Sequence, residues 1–207
     1  MRPVHSVTGT AVPLDRSDVD TDQIIPSDWL KKVERTGFGL GLFAEWRDDR
    51  DFVLNRPEHA GATILVAGPN FGVGSSREHA VWALQDYGFQ AVVSPRFGDI
   101  FRTNATKSGL VPATVDGDFG RRLLDAVTAD ASLVVTVDVE RLVVSVPAAD
   151  LEGSFSLDAF TRRRLLEGLD DVELTLSHAD EINAYEHRRP GWLPTAAARA
   201  ATDPPAP

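Results

Sequence analysis

The sequence predicts an α/β fold, and three observations carry that prediction. Two short apolar runs, ATILVA at 62–67 and QAVVS at 90–94, have the length of buried strands and stop at Gly68 and Pro95. Each is followed by a loop and then by helical spacing, over 77–87 and over 99–107. The two intervening loops, GPNFGVGSSR and PRFG, hold the glycines, serines and arginines expected where strand ends form a crevice.

Along the chain, residues 1–14 read as a short strand pair turning at Thr8-Gly9. VPLDRSDVDTDQIIP, at 12–26, reads as an ordered loop rather than a helix, because its aspartates compete for backbone hydrogen bonds and Pro26 restricts Ile25. WLKKVERTGFGLGLFAEW begins as a short helix, but Gly37, Gly39 and Gly41 raise its entropy cost and predict a movable loop around 31–42. Ile64–Ala67 is a strand, and Ser75 or Ser76 is placed to cap the helix that stops at Gly88. A strand over 91–94 leads to the helix over 99–107, then a helix over 118–128 and strands over 133–137 and 142–146. Ala159, Leu165 and Leu166 have helical spacing, and a further helix is predicted over 170–187 before Pro190. A single domain is expected over 1–194, with a disordered tail of alanine, proline and threonine over 195–207.

The 207 residues suffice for one good core, and 43% hydrophobic with 25% charged is a globular composition. A formal charge of −10 with only short basic runs disfavours nucleic-acid binding. No apolar stretch reaches membrane-spanning length and the start lacks the pattern of a signal peptide, so a cytoplasmic location and no membrane partner are expected. The absence of cysteine removes disulfides and thiolate ligands, so any iron–sulfur cluster must be held by another chain.

The chemistry concentrates in GSSREHA. Gly72 and Gly74 permit a tight turn, while serines at a helix start present N–H groups and hydroxyls to an anion. Arg77 adds a planar fork suited to a carboxylate. The run is neither a GxxxxGK[ST] phosphate loop nor a GxGxxG dinucleotide fingerprint, since no lysine follows Gly74 and Arg77 stands at the third glycine position. Ser75 is a candidate base or nucleophile if its alkoxide is stabilised by nearby N–H groups and cations, and spacing does not choose between the two roles. His79 fits a structural role as well as a catalytic one, with no HExxH pattern beside it. Asp18, Asp20 and Asp22 alternate like hard-cation ligands but do not complete a calcium loop; caps and loop contacts fit them better, and Asp20 or Asp22 is placed to orient a basic side chain.

DVDTDQIIP at 18–26, RTGFGLGLFAEWR at 35–47, NFGVGSSREHAVWAL at 70–84, FGDIFRTNATKSGLVP at 97–112 and YEHRRPGWLP at 185–194 together resemble the small-subunit family of bacterial 3-isopropylmalate dehydratase. The likeness covers all but about the last dozen residues, and GSSRE is shared with the wider aconitase superfamily. The resemblance implies an aconitase-like swivelling domain, with a central sheet flanked by helices. It also implies a large-subunit partner whose cysteines hold a [4Fe–4S] cluster, no metal on this chain, and a small dicarboxylate substrate. The implied reaction is hydro-lyase chemistry that interconverts 2-isopropylmalate and 3-isopropylmalate through isopropylmaleate in leucine biosynthesis.

By the same resemblance, Ser75 is the base that removes the carbon-bound proton, Ser76 assists through the oxyanion environment and Arg77 holds a substrate carboxylate. Leu30 and Val33 belong to the substrate-selecting loop over 30–39. Arg96 and Arg102 are candidate anion contacts, and Asn104 a candidate amide in the cleft. Homoaconitase and methylmalate/citraconate dehydratase small subunits are the enzyme alternatives. A non-catalytic anion-binding module is the alternative of another class.

Overall fold

In the computed structural model, which describes residues 1–31 and 36–193, strand β1 (Ser6–Leu14) runs unbroken through Thr8-Gly9. The expected turn is absent because Gly9 serves a different need: it pairs with Val135, and a Cβ there would overlap the Thr63 hydroxyl. The remaining strands are β2 (Ile64–Ala67), β3 (Ala91–Ser94), β4 (Val111–Val115), β5 (Val134–Asp138), β6 (Val143–Val146) and β7 (Leu151–Ser156). The helices are α1 (Thr21–Ile24), α2 (Ala44–Arg47), α3 (Glu78–Tyr87), α4 (Asp99–Ser108), α5 (Gly117–Ala129), α6 (Ala159–Glu167), α7 (Asp171–Leu176) and α8 (Ala179–Arg188).

The α/β expectation holds, with a mixed sheet flanked by helices, and the sheet closes on itself. Around the barrel the order is β1-β2-β3-β4-β7-β6-β5. Strand β1 closes it by dividing its length: residues 6–10 pair antiparallel with β5, and residues 11–14 pair parallel with β2. β2, β3 and β4 continue in parallel, whereas β7, β6 and β5 are antiparallel to their neighbours.

Two apolar clusters follow from the period of two along the strands. Ile64 and Val66 join a cluster to which all seven strands contribute, with Phe119, Leu123 and Val127 of α5 beside them. Leu65 and Ala67 face the other way, into a second cluster with α3, α4 and the segment that holds Ile24, Phe43 and Phe52. β2 and β3 are therefore buried on both faces and read as continuous apolar runs, while β5 and β7 alternate.

Several local expectations are corrected. Residues 21–24 are helical because Asp20 is an N-cap: its carboxylate accepts from the Gln23 N–H at 2.8 Å, and the Gln23 side chain accepts from the Asp20 N–H at 3.0 Å. The serines do not cap α3; Arg77 occupies the N-cap position in an extended conformation with no side-chain capping bond. The described part of the expected movable loop, over 38–41, is a 3₁₀ turn whose glycines allow close packing. A Cβ at Gly39 would meet the Tyr87 nitrogen at 2.8 Å, and one at Gly41 would meet the Trp29 ring. The predicted helix over 170–187 breaks in two. The Ser177 hydroxyl donates to the Leu174 carbonyl, the acceptor a continuous helix would offer His178, and the His178 N–H turns to Thr175 at 3.1 Å.

The chain divides into two compact units, one over 1–170 and one beginning at Asp171. In the second, α7 and α8 bury none of their residues. The expected disordered tail over 195–207 lies outside the described residues.

Two tests follow from the packing. A Cβ at Gly98 would overlap the Gly72 carbonyl oxygen, and backbone cannot swing aside as a side-chain tip can. Gly98→Ala is expected to cost about 1–3 kcal/mol of stability, read as a lowered midpoint in thermal or urea unfolding. His59 is 6% exposed, its Nδ1 has no hydrogen-bond partner among the described residues, and burial lowers its pKa below the ordinary 6.5. The unfolded chain then binds a proton at a higher pH than the folded one, so stability falls as pH drops below about 6.5 and levels off beneath the folded pKa. Urea titrations from pH 7.5 to 5 should show this component in the parent chain and lack it in His59→Leu.

Candidate functional site

The loops that leave the C-terminal ends of β1, β2 and β3 keep pairing after the strands stop. The Gly72 N–H donates to Val19 at 2.8 Å and the Thr21 N–H to Val73 at 2.9 Å; on the other side the Phe71 N–H donates to Arg96 at 3.0 Å and the Gly98 N–H to Phe71 at 2.9 Å. These bonds form isolated parallel bridges, Asp20 to Val73 and Phe71 to Phe97. Phe71 and Phe101 pack edge to face at 5.3 Å beneath them. Gly72 is required at its position: its φ is +73°, and a Cβ would strike the Phe101 ring.

Gly74, with φ +92°, then turns the chain outward, leaving Ser75 and Ser76 exposed at the approach to α3. Among the described residues, no acceptor meets the N–H groups of Gly74, Ser75, Ser76 or Arg77. Four consecutive donors and two hydroxyls therefore stand open before a ten-residue helix, the arrangement that receives an anion. Arg77 bonds through Nη1 to the Asp22 carboxylate, with the guanidinium side chain 16% exposed and the aspartate 55%. Asp22 is the acidic residue that meets Arg77, because Asp20 is committed to capping α1.

A neighbouring cavity of about 300 Å³ is lined by Asp18, Asn70, Val73, Arg96 and Asp99 among others. The Asn70 amide donates to Asp18 at 2.6 Å, fixing one wall. Arg96 is exposed, and among the described residues its guanidinium has no ion-pair or hydrogen-bond partner. A site with one braced and one open guanidinium, flanked by uncommitted N–H groups, suits a small molecule bearing two carboxylates.

The other expected residues do not line this cavity. Arg102 lines an adjoining cavity of about 440 Å³ between α4 and α6, which shares Asp99 with the first, and there it stands 4.0 Å from Asp158. The Thr161 side chain and N–H hold that carboxyl below its ordinary pKa, and Arg102 adds to the effect. Asn104 sits on α4 with its amide nitrogen buried and without a hydrogen-bond partner among the described residues. His79 packs against aromatic rings, Trp82 at 4.7 Å and Phe38 at 5.4 Å. Leu30 is half-buried in the 3₁₀ turn Ser27–Lys31, and Val33 lies outside the described residues. Thr21 was not singled out by sequence, yet its hydroxyl donates to the Ser75 carbonyl at 3.1 Å. A threonine between two aspartates carries no signal that separates it from an ordinary first-turn residue.

The described residues include no group of three His, Asp or Glu side chains able to hold a metal ion, and the chain has no cysteine. A [4Fe–4S] cluster therefore finds no matching donor set here.

Residues 1–117 match the aconitase C-terminal domain family, and residues 171–199 match the family of the C-terminal domain of 3-isopropylmalate dehydratase small subunits. A 3-isopropylmalate dehydratase small subunit from Parafrankia sp. is 63% identical over 190 residues, covering 92% of this chain and 96% of the relative. One from Rubrobacter xylanophilus is 58% identical, covering 94% and 98%. The crystal structure of a 3-isopropylmalate dehydratase from Methanocaldococcus jannaschii superposes with a TM-score of 0.65 at 26% identity, covering 87% of this chain and 99% of that one.

Asp22→Asn removes the charge that braces Arg77 at a partly exposed site. Stability should change by less than about 1 kcal/mol, whereas ¹⁵N relaxation at the Arg77 Nε should report a more mobile side chain.

Proposed function

This chain belongs to the 3-isopropylmalate dehydratase small-subunit family, and on that premise we propose that it supplies part of the active site that interconverts 2-isopropylmalate and 3-isopropylmalate through isopropylmaleate in leucine biosynthesis. The observation that carries the reading is the exposed Ser75-Ser76-Arg77 turn, with its open N–H groups and its Asp22-braced guanidinium. The activity is a hydro-lyase activity that requires a large subunit, to which the [4Fe–4S] cluster is assigned because this chain offers no thiolate. No helix among the described residues is long and apolar enough to cross a membrane, and a cytoplasmic location is proposed.

In this reading the chain's own residues bind the substrate and move a proton. The Arg77 fork takes one carboxylate and Arg96 is available to the second. Ser75 Oγ, as the alkoxide, accepts the proton as the C–H bond breaks; that bond's electron pair forms the alkene and the hydroxyl leaves the neighbouring carbon as hydroxide, so the two together account for the water lost. Ser75 returns a proton when water adds back at the neighbouring carbon. A serine oxygen acts as a base only where its negative charge is stabilised, and the open N–H groups before α3, with Ser76, provide that field. Leu30 and Val33, from the 30–39 loop, are assigned to the apolar isopropyl group, and Asp22 to holding Arg77 in place.

The test is anaerobic turnover of 3-isopropylmalate by this chain, by a cluster-reconstituted large subunit and by their mixture, with citrate and homoaconitate in parallel. Activity confined to the mixture and greatest on isopropylmalate is expected. A demonstrated complex without activity on any of them would favour a non-catalytic anion-binding module. Ser75→Ala should lower kcat by about 10²- to 10⁴-fold while the two chains still elute together in gel filtration. Near-normal turnover would remove the base assignment.

A further inference from the structure

Thr21 occupies an unusual place for a first-turn residue. It is 2% exposed, and it lies below the serine turn rather than within it. Its N–H donates to the Val73 carbonyl at 2.9 Å and its hydroxyl donates to the Ser75 carbonyl at 3.1 Å. One buried residue thus grips the chain on both sides of Gly74, whose φ of +92° leaves the backbone there otherwise free to turn. Asp20 holds Thr21 in place, because the capping box fixes the start of α1, and the Thr21 carbonyl accepts from Ile25 at 3.0 Å.

The geometry of the peptide group extends this grip to the reacting side. In a trans peptide the C=O and the following N–H point in opposite directions within one plane. With the Ser75 carbonyl turned down to the Thr21 hydroxyl, the Ser76 N–H is turned away from it. That N–H has no acceptor among the described residues, and Ser76 is exposed. Freed from Thr21, the Ser75–Ser76 peptide has no other described bond to hold its orientation.

We propose that Thr21 is a positioning residue for the serine turn: its buried hydroxyl fixes the Ser75–Ser76 peptide plane, and so presents the Ser75 hydroxyl and the Ser76 N–H together to a bound anion. The proposal rests on the reading of Ser75 as the base, and its function is to hold the donor where charge develops rather than to touch substrate. Preorganisation of this kind acts on kcat more than on KM, because it counts when the charge forms.

The test pairs Thr21→Val, which keeps the shape and removes the donor, with Thr21→Ser, which keeps the donor. In the assembled two-subunit enzyme, Thr21→Val should lower kcat by about 10- to 100-fold with KM changed less than about threefold, and Thr21→Ser should stay within about threefold of the parent. NMR on the small subunit provides a readout that does not depend on turnover. The Thr21 hydroxyl proton should exchange slowly with solvent in the parent chain, and the Ser76 amide resonance should shift in Thr21→Val while those of α5 do not. A fast-exchanging hydroxyl in the parent chain would overturn the proposal whether or not any variant folds. So would a Thr21→Val enzyme with parental kcat alongside an inactive Ser75→Ala. Parental activity in Ser75→Ala, with the slow hydroxyl and the amide shift present, would instead overturn the role of Ser75 and leave the clamp standing.

Discussion

Everything at the functional end of this protein depends on backbone pairing that outlasts the strands. β1, β2 and β3 are short, yet the segments beyond them stay in register through bridges at Asp20, Val73, Phe71 and Phe97. That continuation demands a close approach between Gly72 and Gly98, where a side-chain carbon has no room. A bulkier residue at either position would part the second loop from the third. The segment leading to the serine turn is therefore an extension of a sheet as far as Val73, and beyond Gly74 the Thr21 hydroxyl is the described bond that holds the turn.

The parts of the fold that could be read in the sequence are those where one local pattern decides the outcome. Ile64–Ala67 and Ala91–Val93 are apolar throughout because both of their faces are covered, and Gly88 ends α3 as glycine commonly does. β4 and β7 gave weaker signals: Pro112 interrupts one, and only Leu151 and Phe155 point inward along the other. Barrel closure was invisible, since it rests on pairing between residues 6–10 and 134–138, more than a hundred positions apart. α1 was misread because an aspartate that competes with a helix from within also starts one from its N-cap.

The site divides in the same way. Ser75, Ser76 and Arg77 are adjacent in sequence, so composition and spacing sufficed to single them out as candidates. Arg102 and Asn104 share α4 with residues near the cleft, but a helix turns successive side chains through different directions, and Arg102 faces α6. Thr21 lies 54 residues from its partner carbonyl, a relation that only the folded chain creates. Charge adds a further constraint: on a chain of net −10, an anionic ligand meets an unfavourable overall field, so the roles proposed for Arg77 and Arg96 are short-range ones.

The closed sheet has one more consequence. Every strand has a neighbour on each side, so no strand of the described barrel is an edge along its whole length. Another polypeptide, or a second copy of the chain, finds no full-length edge strand to extend. Side chains and loop backbone such as the serine turn then carry more of the recognition. The N–H groups proposed to meet a small anion are then also places where the main chain is available to a partner.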